Sequence, residues 1–301
     1  MSDLKVGFIG LGTMGFPMAS NLLAKGIPLL VNDIACSRAE ALTAKFGNAS
    51  NASYPDIASS CNIIFLILPS GKIVKDVLFS DGGLLGYGPE KDMIVVDMSS
   101  VAPHESMEIA SRLRDAGIEF LDAPVSGGEE KAIDGTLSFM VGGKEEVFNK
   151  IEPYLALMGT SSVLIGDTGS GSMTKLVNQI IVNNTIAAIS EGFTLASKAG
   201  IPLAKVFSAI RGGLAGSRVL ETKAPKMLSR DFSPGGSLSI NMKDIGNVID
   251  TARFLNCPVP YSSMLFEIMK TLKNRDLLKE DHSALIKYFE EIAGIKVISE
   301  K

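Results

Sequence analysis

Leu4-Lys5-Val6-Gly7-Phe8-Ile9 runs directly into Gly10-Leu11-Gly12-Thr13-Met14-Gly15, and a helix-like stretch, Pro17-Met18-Ala19-Ser20-Asn21-Leu22-Leu23-Ala24, follows. An apolar strand therefore feeds a G-x-G-x-x-G turn that opens a helix. Each glycine has a separate task in such a turn. Gly10 permits the sharp reversal, Gly12 leaves room for a pyrophosphate against the backbone, and Gly15 lets the helix pack closely on the strand. The helix N-terminus then offers N–H groups and a positive dipole end to phosphates.

Outward from this turn, short apolar runs alternate with helical patterns through the first half of the chain. Candidate strands are Lys5–Ile9, Leu29–Asn32, Ile63–Leu68, Ile94–Asp97, Glu119–Asp122 and Ser138–Val141. Strands alternating with helices imply βαβ units and a parallel sheet. At Gly166-Asp167-Thr168-Gly169-Ser170-Gly171 the pattern changes, and no further strand is expected. A long helical pattern begins near Ser172 and runs to Lys198, where Gly200-Ile201-Pro202 stops it. The expected architecture is α/β: a Rossmann-like dinucleotide-binding domain over residues 1–165, then an all-helical domain over 166–301, joined by the long helix.

Composition narrows the function. In 301 residues, 29 basic against 33 acidic side chains give a net charge of -4, which offers no electrostatic case for nucleic acid. No apolar run approaches the roughly 18 residues that would span a bilayer, so no membrane partner is expected. No basic and apolar leader precedes the first strand. Three scattered cysteines and two histidines suggest neither a disulfide framework nor a metal site. A cytoplasmic, metal-free protein is the expectation.

Asn32 and Asp33 end the second candidate strand, and Asp33 lies 23 positions after Gly10. An acid about 20 residues beyond the glycine turn accepts hydrogen bonds from a ribose 2′-hydroxyl and repels a 2′-phosphate, which favours NAD(H). Asp33 also suits an ordinary strand-end turn. Arg38 leaves NADP(H) possible, because a guanidinium can meet a 2′-phosphate.

Two further segments carry chemistry. In Asp122-Ala123-Pro124-Val125-Ser126-Gly127-Gly128, a hydroxyl and two glycine N–H groups follow a strand, where an open α/β sheet binds ligands; Ser126, Gly127 and Gly128 could hold a carboxylate. On the long helix, Lys175, Asn178 and Gln179 stand at i, i+3 and i+4 and share one face. Alone, the first segment reads as a Pro/Gly turn and the second as a solvated helix face. Together they suit a small substrate whose oxygen needs hydrogen-bond donors.

These residues resemble the β-hydroxyacid dehydrogenase family, and the resemblance covers essentially the whole chain. Its markers, in order, are Gly10 to Leu22, Asp122 to Gly128, Gly169 to Gln179, and Asn241-Met242-Lys243-Asp244. Within the family, Glu130 to Ser138, the Asn178-Gln179 pair, Ala209 to Ser217 and Asp281 to Leu285 are most similar to the branch that reduces tartronate semialdehyde. One departure stands out. After Ser233-Pro234-Gly235 that branch usually carries an aromatic and a basic residue, whereas here Gly236 and Ser237 follow. The loop precedes Lys243, so the departure bears on substrate preference.

The resemblance implies Lys175 as the catalytic residue and Lys243 near the nicotinamide. It implies Leu68, Pro69 and Ser100 as cofactor-contacting positions, beside Gly10 to Gly15. It also implies a homodimer or homotetramer. The expected reaction is reduction of tartronate semialdehyde (2-hydroxy-3-oxopropanoate) to D-glycerate with NAD(P)H. Lys175 would serve as general acid, its pKa lowered by burial and by a second cation such as Lys243. Other small carboxylate-bearing substrates of the family are 3-hydroxyisobutyrate, 4-hydroxybutyrate and L-threonate. A non-catalytic cofactor-binding module is the reading from a different class, and such a module would be expected to lose Lys175 or the amides beside it.

Overall fold

In the first strand, β1 (Val6–Ile9), all four residues are buried. Val6 and Phe8 join one apolar cluster while Ile9 joins a second, so the strand has core on both faces. That burial explains the uninterrupted apolar run, since strands of a parallel sheet are covered by helices on both sides.

The computed structural model describes residues 4–90 and 92–298. After β1 come α1 (Gly15–Ala24), β2 (Leu29–Asn32), α2 (Cys36–Lys45), β3 (Ala49–Asn51), α3 (Tyr54–Ser60), β4 (Ile63–Leu66), α4 (Gly71–Phe79), β5 (Ile94–Asp97), α5 (Pro103–Asp115) and β6 (Glu119–Asp122). Then follow β7 (Val125–Ser126), α6 (Gly128–Asp134), β8 (Leu137–Gly142), α7 (Glu145–Leu155), β9 (Gly159–Gly166) and α8 (Ser170–Lys198). The strand order is β3-β2-β1-β4-β5-β6-β8-β7, with β9 against β8. From β3 to β6 every pairing is parallel. The order reverses at β1, between β2 and β4, which places a ligand crevice at the carboxyl ends of these strands.

The sheet is not wholly parallel. β8 runs antiparallel to β6 and β7 and parallel to β9. Ten residues separate Ser126 from Leu137. A parallel crossover needs a dozen or more, so the chain can only fold back. The expected strand Ile63–Leu68 ends two residues early, at Leu66. The 3-residue β3 and the 2-residue β7 are too short to register as patterns. β9, with the sequence GTSSVLIG, is an edge strand whose exposed residues dilute its apolar signal.

The chain divides into two compact units, one ending at Lys175 and the other beginning at Leu176, so the boundary falls inside α8. The second unit contains the rest of α8 together with α9 (Leu203–Ile210), α10 (Arg218–Ser229), α11 (Leu238–Phe254), α12 (Pro260–Lys273) and α13 (Ile286–Ala293). Its core gathers Phe193, Leu220, Met227, Ile245, Met269 and Leu285. No described helix is long and apolar enough to cross a membrane.

Candidate active site

The three glycines of the first turn carry three different constraints. Gly10 has φ +97°, and a Cβ there would lie 2.3 Å from the Ile67 carbonyl oxygen. A Cβ on Gly15 would lie 1.9 Å from the Gly10 carbonyl oxygen, so the start of α1 is pressed onto the strand end. Gly12 is different. A Cβ there would meet only Arg38 Nη1, at 4.0 Å, and the space over its backbone is open. That is the cradle a pyrophosphate needs: a crowded glycine on each side and an open one between them. Leu11 is buried, Thr13 is exposed, and Met14 stands at the N-cap of α1.

Asp33 is tied to this turn. Its Oδ2 accepts the Leu11 N–H at 2.6 Å and its Oδ1 accepts the Ala35 N–H at 2.8 Å. Arg38 Nη1 approaches Oδ1 at 3.5 Å, with Arg38 half exposed. The acid therefore shapes the glycine loop as well as marking the end of β2. Asn32 holds the same corner, accepting the Gly10 N–H on its carbonyl at 3.0 Å and donating Nδ2 to the Ala52 carbonyl at 2.7 Å. Leu68 and Pro69 follow β4, and Ser100 follows β5, so all of these positions share the carboxyl edge of the sheet. The Leu68 N–H donates to Ser99 Oγ at 2.8 Å. Ser100 is not the N-cap of α5; Ala102 is.

At the end of β6, Asp122 is fully buried. Burial pushes its carboxyl above the usual range, opposed by hydrogen bonds from Gly169 and Ser172. Its two oxygens accept the N–H groups of those residues, each at 2.7 Å. These are orphan donors of the first turn of α8, so an acid from the sheet caps the helix that carries Lys175. This cap starts the helix at Ser170, two residues before the expected start. Lys175 Nζ donates to the Val125 carbonyl at 2.8 Å. The lysine is thus held beside β7, next to Ser126 and to Gly127 and Gly128, whose φ values are +146° and +74°. The two exposed glycines turn the chain out of β7 into α6.

In the second unit, Asn178 Nδ2 donates to Gln179 Oε1 at 2.9 Å. Gln179 is 6% exposed, and its Nε2 donates to Asp244 Oδ2 at 2.5 Å and reaches Asn241 Oδ1 at 3.5 Å. Asp244, itself buried, also faces Lys243 Nζ across 3.1 Å. Asn178, Gln179, Asp244 and Lys243 are therefore joined through one buried carboxylate. Asp244 was visible in the sequence only as part of the Asn241 to Asp244 motif. Its function as a hub is set by the packing of α11 on α8, which no local pattern encodes.

Comparison with known proteins bears on the family and the fold. Residues 5–166 match the model of the NAD binding domain of 6-phosphogluconate dehydrogenase. Residues 169–289 match the NAD-binding family model of NADP-dependent 3-hydroxyisobutyrate dehydrogenase. The chain is 38% identical to the 2-hydroxy-3-oxopropionate reductase of Escherichia coli K12, over 98% of this chain and 100% of that protein. It is 35% identical to the 2-(hydroxymethyl)glutarate dehydrogenase of Eubacterium barkeri, over 98% of each. The crystal structure of a 3-hydroxyisobutyrate dehydrogenase from Salmonella typhimurium superposes with a TM-score of 0.84 at 31% identity, covering 95% of this chain and 99% of that one. With an NAD(P)-binding sheet edge and a lysine held against the serine–glycine turn, the chain belongs to the β-hydroxyacid dehydrogenase family of NAD(P)-dependent oxidoreductases, and within it resembles the 2-hydroxy-3-oxopropionate reductases.

Proposed function

We propose that this enzyme reduces tartronate semialdehyde to D-glycerate: 2-hydroxy-3-oxopropanoate + NADH + H+ → D-glycerate + NAD+. The observation that carries the reading is the 2.8 Å hydrogen bond from Lys175 Nζ to the Val125 carbonyl, which stations an ammonium one residue from Ser126-Gly127-Gly128. A small substrate whose carboxylate is gripped by those three residues presents its other end to the lysine.

Gly10 to Gly15, Asn32, Asp33, Leu68, Pro69, Ser100 and Lys243 hold the dinucleotide, and when bound its nicotinamide supplies a hydride to the aldehyde carbon. Negative charge then builds on the carbonyl oxygen. Lys175 gives its Nζ proton to that oxygen, and in the oxidative direction the neutral amine takes the proton back. Asn178 orients the substrate oxygens, and Gln179, whose own amide is engaged, fixes the Asn178 amide. Ser126 Oγ and the N–H groups of Gly127 and Gly128 fix the carboxylate. Holding both ends of a three-carbon molecule converts binding into alignment, a large part of such catalysis. Asp33 favours NADH, since a 2′-phosphate would meet a carboxylate already committed to the loop.

The test is steady-state reduction of tartronate semialdehyde with NADH and with NADPH, against succinic and methylmalonic semialdehydes. Substrates named for relatives are included in the direction each allows: 3-sulfolactaldehyde is reduced with NADH, and 2-(hydroxymethyl)glutarate and L-threonate are oxidised with NAD+ beside D-glycerate. The highest kcat/KM for tartronate semialdehyde with NADH supports the reading. A higher value for any rival reassigns the substrate.

A further inference from the structure

The helix that follows the Ser126-Gly127-Gly128 turn is poorly anchored by its own side chains. α6 has seven residues, and Ala132 is its one buried residue. A glycine bounds it at each end, Gly127 (φ +146°) at the N-cap and Gly135 (φ +67°) at the C-cap. A helix of two turns with a single buried methyl gains little from packing and is marginal by itself. A contact from outside must fix it.

α1 supplies that contact. Asn21 Nδ2 donates to the Ala132 carbonyl at 2.8 Å. That carbonyl is one of the orphan acceptors in the last turn of a helix. Were α6 longer, it would receive the Thr136 N–H. Here the Thr136 N–H, at 2.9 Å, and the Gly135 N–H both go to the Lys131 carbonyl. The half-buried Asn21 amide takes the place of that missing intrahelical bond.

The turn ahead of α6 is held unevenly. Ser126 pairs with Ser138 of β8, so the sheet fixes its backbone. Lys175 is fixed separately, by the Asp122 cap of its helix and by the Val125 carbonyl. Gly127 and Gly128 lie past the last paired residue of β7, and both are exposed. A shift of α6 therefore moves these two backbone donors and leaves Ser126 and Lys175 in place.

We infer that Asn21 is a positioning residue: from the helix that opens at the dinucleotide turn it pins α6, and so aims the Gly127 and Gly128 N–H groups at the substrate carboxylate. The inference rests on the reading of Ser126-Gly127-Gly128 as the carboxylate grip and adds the residue that holds that grip in place. Losing the Asn21 amide weakens recognition of the carboxylate and spares proton transfer at Lys175.

The experiment measures reduction of tartronate semialdehyde and of glyceraldehyde with NADH. Glyceraldehyde carries a hydroxymethyl group in place of the carboxylate, so the ratio of the two kcat/KM values is the carboxylate preference. Asn21→Leu, close in size but without a donor, should lower that preference at least about fivefold through KM, the scale of a hydrogen bond to a charged group, with kcat within about twofold. Asn21→Gln, which keeps the amide on a longer stem, should lie between Asn21→Leu and the wild type. A residue that served the fold alone would depress both aldehydes together, and that result overturns the inference. Ser126→Ala separates the two readings. If it keeps the carboxylate preference, the grip is overturned and the function of Asn21 with it; if it loses the preference while Asn21→Leu keeps it, Asn21 alone is overturned. Should another semialdehyde prove the better substrate, it takes the place of tartronate semialdehyde, and the KM-against-kcat split decides. Hydrogen exchange over residues 127–134 should quicken in Asn21→Leu, and unchanged exchange there overturns the pinning. Asn21→Ala, which keeps α1 a good helix former, carries the same tests if Asn21→Leu does not fold.

Discussion

Asp122 at the end of β6 accepts the backbone N–H of Ser172 at 2.7 Å, three residues before Lys175. The strand that leads into the Ser126-Gly127-Gly128 turn therefore also sets where α8 begins, and so where its lysine projects. One buried carboxylate fixes both halves of the constellation around Lys175.

Replacing Asp122 with Ala should leave two buried N–H groups unsatisfied. The expected loss is about 2–4 kcal/mol of stability, as for unsatisfied buried donors combined with a lost helix cap. Turnover should fall as well, because Lys175 would lose its fixed base. Urea unfolding and kcat measured on the same preparation check both; unchanged kcat in a folded Asp122→Ala protein contradicts the positioning argument.

Lys175→Ala should lower kcat by about 10²–10⁴, the usual share of a positioned general acid. NADH affinity, read by fluorescence titration, should change by less than about twofold. Near-normal turnover would remove Lys175 from the mechanism.

Asp33→Ala should do two things at once. Deleting the acceptor of the Leu11 N–H should cost about 1–2 kcal/mol. Loss of the acid should also narrow the NADH-to-NADPH preference, with half-exposed Arg38 left to face a 2′-phosphate. Kinetics with both cofactors, alongside thermal unfolding, separate loop loosening from changed selection.

The protein should lose stability on mild acidification because of His282. Burial and Lys223 pull its folded pKa from the ordinary 6.5 down to about 4. Between these values the unfolded chain binds a proton that the native state refuses, so stability falls as pH drops through that window. Asp281 is pulled the same way at lower pH. Burial pushes its carboxyl up, but His282, Lys223 and Ser283 outweigh it and hold it at about 2, so its contribution is lost only below about pH 4. From pH 6.5 to 5 the expected loss from His282 is about 2 kcal/mol. Urea midpoints at the two pH values should show it in the wild type and not in His282→Gln; equal slopes in both would place the titration elsewhere.

The glycine turn made the first domain legible because each of its glycines answers a steric demand that any such strand-to-helix turn imposes. The long helix and the later helical region were legible for the same reason, as periodic patterns with clear stops. β3, β7 and β9 were not, since two are only two or three residues long and the third is an exposed edge. The candidate site was legible as residue types. Lys175 and the Ser126 turn stand out in the sequence, and the structure brings them together. What the chain could not display was pairing across distance: Asp122 with the start of α8, Asp33 with Leu11, and Asp244 with Gln179. Each joins residues at least 22 positions apart, and each was set by packing rather than by local pattern.

The sheet's strand order also bears on the birth of the chain. β1 pairs with β2 on one side, Val6 with Leu29, but its other edge waits for β4, with Val6 opposite Ile63. During synthesis the central strand is thus made long before its second neighbour, and its apolar edge stays open through that interval. Non-local pairing of this kind slows folding and exposes strand edges to other chains. The same order that creates the ligand crevice between β1 and β4 leaves one edge of β1 without its partner strand until Leu66 has been synthesised.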